Sequence, residues 1–396
     1  MGEYRYDFLL HATVRDSEDW GFAPPDVSSL PTGVEALRSE CLRLSRMWRR
    51  SAAALQAYKA MNYALAMSEW RLGSANVGAM PAFVQVNRDD HCNLGCSYCR
   101  PHDAVMTEGT LKTMSGRTWR AAVRTLLPAS VEFMPFCWGE PLLPSARFRE
   151  ACAAAEEFAV SVCLITNMNA LDQVHTDLFV RHVARALVSV DTPNPERYRA
   201  LRRGGALGVV ETNIERLRRH SDAIRMPMPW LGVSAVIMRQ NLRELPELVD
   251  WAADNGLRGV YAGRLVAHEG MRAFAENELV DLSSDEYLEV FEACSRRSDV
   301  RGIALSMHNP RNPIGAERVC PCPWLHAYVS SDGEMSFCNF SRHVVLDRLP
   351  LEPGFYRCSH VAARRERWLA DRDFRCESCQ SADYDGRPGV SQFRGR

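Results

Sequence analysis

From Pro81 onward, short apolar segments alternate with amphipathic segments, a pattern that predicts strands and helices in turn. Such a chain usually pairs its strands in parallel through right-handed crossovers. The predicted strands lie near 82–87, 130–136, 160–165, 184–190, 231–237 and 257–261. The predicted helices lie near 115–126, 145–158, 171–183, 209–220 and 243–254. In α/β folds of this kind, the functional residues lie at the C-terminal ends of the strands.

The N-terminal part of the chain follows another pattern. Residues 1–31 show little periodicity, whereas apolar residues recur every three to four positions from Val34 to Gly73. This predicts an irregular leader followed by a long helical region. Thr32 and Glu35 have the spacing of a capping box, which predicts Thr32 as the N-cap. We expect the apolar stripe of this region to pack against the main domain.

Composition and charge exclude several classes of function. The chain carries 48 Lys+Arg and 49 Asp+Glu, and its net charge of −1 argues against a surface that binds nucleic acid or an anionic membrane. The sequence contains no apolar run of transmembrane length and does not start with a signal-peptide pattern, so we expect a cytoplasmic protein. In that compartment its 14 cysteines are expected to be thiols or metal ligands, not disulfides.

Three of the cysteines, Cys92, Cys96 and Cys99, follow the first predicted strand at a C-x3-C-x2-C spacing. Thiolates this close together indicate a single metal centre. An iron–sulfur cluster takes cysteine sulfur as its main ligand. Three cysteines would leave one iron of a four-iron cluster without a protein ligand.

This spacing resembles the signature of the radical S-adenosylmethionine (radical SAM) superfamily. In that family three cysteines hold a [4Fe-4S] cluster and SAM binds the fourth iron, so the resemblance implies these roles for Cys92, Cys96 and Cys99. It also implies that Tyr98 lies against the SAM adenine. The implied fold is α/β, a partial (β/α)6 TIM-like barrel, and the six predicted strand–helix units resemble it.

A second family motif follows the second predicted strand. Trp138-Gly139-Glu140-Pro141 resembles the Gly-Glu-Pro motif of the family. The resemblance implies that the backbone at Gly139 and Pro141 and the carboxylate of Glu140 hold the amino group of SAM. Trp138 stands where the family often has another glycine.

The next two strand ends supply the other SAM contacts that the resemblance implies. Thr166 and Asn167 follow the third strand, where relatives approach SAM. Ser189 begins a Ser-x-Asp sequence after the fourth strand and is expected at the ribose or methionine part. Arg202 or Arg203 is expected to pair with the SAM carboxylate, because a guanidinium group makes bidentate contacts, and Arg202 is preferred.

Cysteines return in the C-terminal region. The sequence between Cys320 and Cys338 predicts a β-hairpin. This hairpin, together with Cys376 and Cys379, resembles the SPASM/twitch branch of the superfamily. The resemblance implies an auxiliary [4Fe-4S] cluster held by Cys320, Cys338, Cys376 and Cys379. Cys322 is the alternative to Cys320, because residues two apart on a strand face the same side. No cysteine follows Cys379, which favours a single auxiliary cluster, and a four-cysteine zinc site is the alternative occupant.

These assignments divide the chain into four parts: the leader and helical region, the radical SAM partial barrel, a connecting segment and a twitch/SPASM-like auxiliary cluster domain, at 1–80, 81–262, 263–319 and 320–396. The resemblance implies a 5′-deoxyadenosyl radical that removes a hydrogen atom from a small-molecule substrate. An auxiliary cluster free to take an electron favours two-electron oxidation of a secondary alcohol to a ketone, on an aminocyclitol or amino-sugar natural-product intermediate. Asp191 or an arginine is the candidate base, and a flavodoxin- or ferredoxin-type protein the expected reductant.

Other functions remain open at this point. A SPASM-type maturase would crosslink, oxidise or epimerise a ribosomal peptide. A redox-neutral carbohydrate epimerase would need a thiol that returns a hydrogen atom, and Cys137 and Cys358 are the candidates. A non-catalytic iron–sulfur or zinc protein would have no need of the SAM motifs. We expect no nucleic-acid or membrane partner.

Overall fold

The computed structural model describes residues 25–99, 111–143, 145–265, 272–308, 320–339, 345–350 and 355–370, together with the backbone of two short N-terminal strands. The strands, numbered in chain order, are β1 (Arg5–Asp7), β2 (Ala12–Val14), β3 (Phe83–Val86), β4 (Gly95–Cys96), β5 (Glu132–Met134), β6 (Ser161–Thr166), β7 (Val183–Ser189), β8 (Arg202–Arg203), β9 (Trp230–Ile237), β10 (Gly259–Arg264), β11 (Ala304–Ser306), β12 (His326–Val329), β13 (Glu334–Ser336) and β14 (Asp347–Arg348). The α-helices are Val34–Ser45, Ala52–Arg71, Gly116–Leu126, Ser145–Glu157, Gln173–His182, Pro195–Leu201, Leu207–Ile224, Leu245–Asp254, Arg272–Glu278, Asp285–Arg301, Cys322–Leu325 and Ser359–Ala370. None of the helices described is both long and apolar enough to cross a membrane.

The main sheet has ten strands in the order β11-β10-β9-β7-β6-β5-β3-β12-β13-β14. Neighbours from β11 to β12 pair in parallel, and β13 and β14 are added antiparallel. All six predicted barrel strands are present, as β3, β5, β6, β7, β9 and β10, with helices between them. This confirms the mixed α/β fold with a partial TIM-like barrel.

The sheet is larger than the sequence pattern predicted. β11 adds a parallel strand beside β10, and β12 pairs in parallel with β3 at the other side of the barrel strands. The strand pairing therefore runs across the predicted boundaries at residues 262 and 320. β11 has only three residues, too few for a periodic signal, and the partner of β12 lies more than 200 residues earlier in the chain. The predicted hairpin between Cys320 and Cys338 is confirmed as β12 and β13.

The N-terminal helical region is two helices, not one continuous helix. The first, Val34–Ser45, has Gly33 as its N-cap with no side-chain cap, so the predicted Thr32 cap is wrong. Gly33 has φ of 99°, a conformation that glycine adopts without a Cβ clash. The second helix begins after Ser51, whose hydroxyl accepts a hydrogen bond from the amide of Ala54.

The second of these helices packs against the barrel, as the apolar stripe predicted. Its apolar residues belong to the same buried core as the barrel strands. Lys59 is buried on this face and donates hydrogen bonds from Nζ to the carbonyl oxygens of Leu127 and Ser130. Asn62 donates to the carbonyl oxygen of Ala129 at 3.1 Å. These contacts hold the helix to the residues just before β5.

Candidate active site

The three-cysteine loop follows β3 and is held in place by backbone hydrogen bonding. Cys96 lies in β4, which pairs antiparallel with β8 so that Cys96 faces Arg202. The amide of Ser97 donates to the carbonyl oxygen of Leu201 at 3.0 Å. The loop is therefore fixed against the segment that follows β7, and it lies at the C-terminal ends of the strands, where the sequence predicted it.

The donor set of this loop fits a cluster with three cysteine ligands. Cys92 and Cys99 are partly exposed and Cys96 is buried. Burial raises the pKa of Cys92 to about 11 and also raises the pKa of Cys96. Cysteine ligands bind metal as thiolates, so loading this site must release protons. Soft sulfur ligands from a single loop suit an iron–sulfur cluster.

The turn that contains Gly139 packs directly on the start of the cysteine loop. The amide of Glu140 donates to the carbonyl oxygen of His91 at 2.8 Å. A Cβ at position 139 would lie 2.7 Å from that same oxygen and closer still to the carbonyl oxygen of Asp89. Only glycine fits here, because both neighbours are backbone atoms. Pro141 follows in the same turn and is buried.

The carboxylate of Glu140 joins two of the predicted strand-end motifs. It accepts hydrogen bonds from Oγ1 of Thr166 at 2.5 Å, the amide of Asn167 at 2.7 Å and the amide of Leu142 at 3.1 Å. Burial raises the pKa of Glu140 to about 7, and these hydrogen bonds oppose that shift. A buried carboxylate oriented in this way is suited to bind a cationic amine.

Asn167 links this carboxylate to the cysteine loop. Its Nδ2 donates to Oδ1 of Asn93 at 2.9 Å and lies 3.7 Å from Sγ of Cys92. Ser189 is buried at the end of β7, where it pairs with Ser234 of β9. The structure thus brings Cys92, Glu140 and Asn167 together at one end of the sheet. The assignment of Cys92 as a cluster ligand, and of Glu140 and Asn167 as SAM contacts, stays a prediction.

Asp191 lies at the centre of a buried polar cluster that the sequence analysis did not foresee. Its carboxylate accepts hydrogen bonds from the Tyr98 hydroxyl and, at 2.9 Å, from the amide of Val236. Nε of Arg202 lies 2.8 Å from Oδ2 of Asp191, and the guanidinium is 5.6 Å from the Tyr98 ring centroid. Arg202 is buried whereas Arg203 is exposed. The preferred arginine is therefore already paired with a carboxylate of the protein.

The second cysteine region, residues 320–339, contacts the turn that contains Gly139. Nε1 of Trp138 donates to the Tyr328 hydroxyl at 3.1 Å. Nδ2 of Asn339 lies 3.6 Å from Sγ of Cys137, and Oδ1 of the same side chain lies 3.3 Å from Sγ of Cys338. Sequence spacing gave no signal of this contact, because the two regions are about 200 residues apart.

Cys338 belongs to a buried group whose other members are Cys322 and His326. The two thiol sulfurs and a ring nitrogen of His326 all lie within 4.8 Å of one another. The group contains Cys322, the alternative to Cys320, and a histidine that the sequence analysis left out. Cys376 and Cys379 lie outside the described residues. Sulfur and imidazole donors in this arrangement fit a metal centre.

Comparisons with known proteins agree with this geometry. Residues 86–252 match the family model of the radical SAM superfamily. The chain is 28% identical over 171 residues to a GTP 3′,8-cyclase of Synechocystis sp., which covers 43% of this chain and 50% of that protein. It is 25% identical over 288 residues to a GTP 3′,8-cyclase of Peptoclostridium acidaminophilum, covering 69% of this chain and 84% of the relative. The chain spans about half the length of the first curated relatives that it matches.

Two solved structures share the fold. Native anSMEcpe with bound AdoMet and Cp18Cys peptide has a TM-score of 0.56 at 14% identity, covering 77% of this chain and 88% of that one. Streptococcus suis SuiB bound to S-adenosylmethionine has a TM-score of 0.52 at 12% identity, covering 77% and 72%. At these identities the likeness shows a shared fold. Residues 86–252, the part of the chain that matches the family model, form a radical SAM domain.

Proposed function

We propose that this radical SAM enzyme oxidises a secondary alcohol of an aminocyclitol or amino sugar to a ketone. The observation that carries this proposal is the contact between the second cysteine region and the turn that contains Gly139, through Asn339 with Cys137 and Tyr328 with Trp138. Removing one hydrogen atom from a carbinol carbon leaves one electron and one proton to be lost before a ketone forms. An auxiliary cluster in the second cysteine region would be an electron acceptor beside the site, which supports that outcome over redox-neutral chemistry.

The protein side chains would bind and orient the reactants. When bound, the first cluster and SAM supply the radical that takes the hydrogen atom. Glu140, held by Thr166 and Asn167, would bind the SAM amino group, and Tyr98 would lie against the adenine. Ser189 would contact the ribose or methionine part. A flavodoxin- or ferredoxin-type protein remains the expected reductant.

Asp191 changes its role in this proposal. It was the candidate base, but its carboxylate accepts hydrogen bonds from Tyr98 and Val236 and pairs with Arg202. A carboxylate with these partners is poorly placed to take a proton from a substrate. Its proposed role is to position Tyr98 and Arg202 beside the cysteine loop.

A second candidate function is the modification of a peptide. The backbone of β1 and β2 forms an antiparallel pair ahead of the N-terminal helices, and peptide-modifying relatives often carry a strand-and-helix domain that binds the leader of their substrate. SuiB bound to precursor peptide SuiA shares the fold, with a TM-score of 0.52 over 83% of this chain. The strand pair therefore supports this candidate.

The deciding experiment begins with anaerobic reconstitution and iron counting. The parent should bind about eight irons and a Cys92→Ala/Cys96→Ala/Cys99→Ala variant about four, because each [4Fe-4S] cluster contributes four. Only the parent should form 5′-deoxyadenosine from SAM under dithionite. Loss of all iron from the variant would remove the auxiliary cluster and the case for oxidation.

The substrate class is tested by isotope transfer. Aminocyclitols and amino sugars deuterated at each carbinol carbon should transfer deuterium into 5′-deoxyadenosine and yield the matching ketone. Transfer from a deuterated peptide, with none from any aminocyclitol or amino sugar, would establish the second candidate instead. Return of hydrogen to the same carbon with inversion would identify an epimerase.

A further inference from the structure

We propose that His326 is a ligand of the auxiliary cluster, together with Cys322 and Cys338, and that Cys322 is the ligand in place of Cys320. This inference rests on the auxiliary cluster of the proposed function, and it adds a histidine to a ligand set that the sequence resemblance had implied to be cysteine alone. It concerns the identity of the ligands and not the substrate.

The hairpin register brings two of the three donors together. Tyr328 of β12 pairs with Ser336 of β13. His326 lies two residues before Tyr328 and Cys338 lies two residues after Ser336, so both donors lie at the same end of the hairpin. The register therefore explains why the imidazole and the Cys338 thiol meet.

Cys322 reaches the same point from a different element. It is the first residue of the short helix Cys322–Leu325, which leads directly into His326. Cys322 and His326 therefore stand at the two ends of this one-turn helix. All three donor residues are buried, and their donor atoms lie within 4.8 Å of one another. Cys320 precedes the helix and is only partly buried.

The second nitrogen of His326 fixes the state of the ring. Nδ1 lies 2.6 Å from the carbonyl oxygen of Phe337. A carbonyl oxygen can only accept, so Nδ1 carries the proton and Nε2 of the neutral ring keeps its lone pair. Histidines that bind metals commonly have their other ring nitrogen fixed by a carbonyl or carboxylate in this way. The hydrogen bond thus prepares Nε2 as a donor.

The turn that carries Cys322 is held by three buried side chains. Nε of Arg365 and the hydroxyl of Tyr356 each donate to the carbonyl oxygen of Pro323 at 2.8 Å. Nε1 of Trp324 donates to the carbonyl oxygen of Ser74 at 2.6 Å. The position of the Cys322 thiol is therefore fixed by contacts outside the donor group.

Histidine ligation has a consequence for electron transfer. A neutral imidazole in place of a thiolate removes one negative charge from the ligands, and replacing cysteine by histidine raises the reduction potential of iron–sulfur centres. A cluster at higher potential accepts an electron more readily. This suits a centre that receives an electron from a substrate radical.

The test uses the Cys92→Ala/Cys96→Ala/Cys99→Ala variant, which leaves the auxiliary cluster as the only iron–sulfur centre. Pulsed EPR of its reduced cluster should show coupling to one directly bound nitrogen, and growth with ¹⁵N-histidine should change that coupling. No side chain of the auxiliary site is altered in this comparison. Adding His326→Cys should abolish the nitrogen coupling, keep the iron content and lower the reduction potential.

Two serine variants form a matched pair that tests the cysteine ligand. Cys322→Ser should lose most of the auxiliary iron, whereas Cys320→Ser should keep it. The reverse pattern would overturn the assignment of Cys322. Four irons without histidine-nitrogen coupling would overturn the histidine ligand and leave the proposed oxidation standing. Zinc in place of iron would overturn both the histidine-ligated iron–sulfur cluster and the proposed oxidation, because zinc accepts no electron.

Discussion

Asp191 and Arg202 form a buried ion pair, with Oδ2 of the carboxylate 2.8 Å from Nε of the guanidinium. Tyr98 completes the cluster, donating its hydroxyl proton to the same carboxylate while its ring lies beside the guanidinium. The backbone of Arg202 also pairs with that of Cys96. The ion pair therefore connects the end of β7 with the loop that carries the three cysteines.

Asp191→Asn should impair SAM cleavage while leaving the iron content unchanged. The amide keeps the size of the side chain but removes the charge that pairs with Arg202, and a buried guanidinium without its partner is costly. We expect a loss of at least about tenfold in the rate of 5′-deoxyadenosine formation, in line with the loss of a buried charged hydrogen bond. The assay is anaerobic SAM cleavage after iron counting.

The same variant separates positioning from base catalysis. If Asp191 were the base, SAM cleavage would continue and only formation of the ketone would stop. Asp177→Asn is the control, because Asp177 pairs with Arg181 on the surface, and this variant should behave as the parent.

Gly139→Ala should abolish SAM binding. The added methyl group would meet the carbonyl oxygens of Asp89 and His91, so the turn or the start of the cysteine loop must move. Overpacking of this kind costs about 1–3 kcal/mol of the free energy of unfolding. Equilibrium dialysis with labelled SAM and thermal unfolding are the measurements. Gly208→Ala is the matched control, because outside its own helix nothing lies within 4 Å of the added Cβ. It should leave SAM binding unchanged and the stability unchanged or slightly higher.

Thr166→Val should weaken SAM binding by about tenfold, because a hydrogen bond to a charged group is worth about 1.5–3 kcal/mol. The variant keeps the shape of the side chain but removes the hydroxyl that donates to Glu140. Calorimetric titration with SAM measures the effect. Thr212→Val is the control, because it removes a surface hydroxyl that donates to Gly208 within a helix, and its SAM affinity should equal that of the parent. If Thr166→Val also binds SAM as tightly as the parent, the proposed role of Glu140 is contradicted.

SAM affinity should rise with pH between about 6 and 7.5. Burial raises the pKa of Glu140 to about 7, so at lower pH the carboxyl is protonated and attracts the SAM ammonium group less strongly. Well below that pKa the dissociation constant should fall by up to about tenfold for each unit of rising pH. Glu140→Gln should bind weakly with a flat profile over this range. A parent profile as flat as that of the variant would argue against this role.

Lys59 should make the free energy of unfolding increase with pH. Burial lowers the pKa of Lys59 to about 7, from an ordinary value of 10.5. Between these values the unfolded chain holds a proton that the folded chain lacks, so stability rises with pH, by up to about 1.4 kcal/mol per unit. Below pH 7 both states are protonated and this dependence disappears.

Comparing denaturant unfolding at pH 7 and pH 9 isolates the Lys59 effect. The parent should gain about 2 kcal/mol relative to Lys59→Met over this interval. Lys112→Met should follow the parent, because Lys112 is exposed and pairs with Asp332. Parallel profiles for all three proteins would show that Lys59 does not titrate in this range.

Local signals in the sequence located most of the barrel. Each of the six predicted strands is a run of apolar residues bounded by polar turns, and a buried strand needs no distant partner to produce that pattern. The N-terminal helices were less well predicted. The N-cap of the first helix is Gly33 and not Thr32. The region also breaks into two helices before Ser51, which the sequence did not indicate because an apolar stripe continues across a short interruption.

The sequence alone also placed Cys92, Cys96 and Cys99 in a loop after the first strand, and Glu140 after the second. Three close cysteines are a local motif, and parallel strands bring their C-terminal ends to one edge of the sheet. The common location of these residues therefore followed from the order of the elements. The fold of this domain is a feature that such local information determines.

Only the tertiary structure decided which side chains pair with one another. Asp191 lies 93 residues after Tyr98, and β12 pairs with β3 from the far end of the chain. Cys322 and His326 meet Cys338 because the hairpin register and a short helix aim all three donors at one point. Periodicity records which face of an element is buried, but not the residue that it meets there, because that depends on register and on strand order.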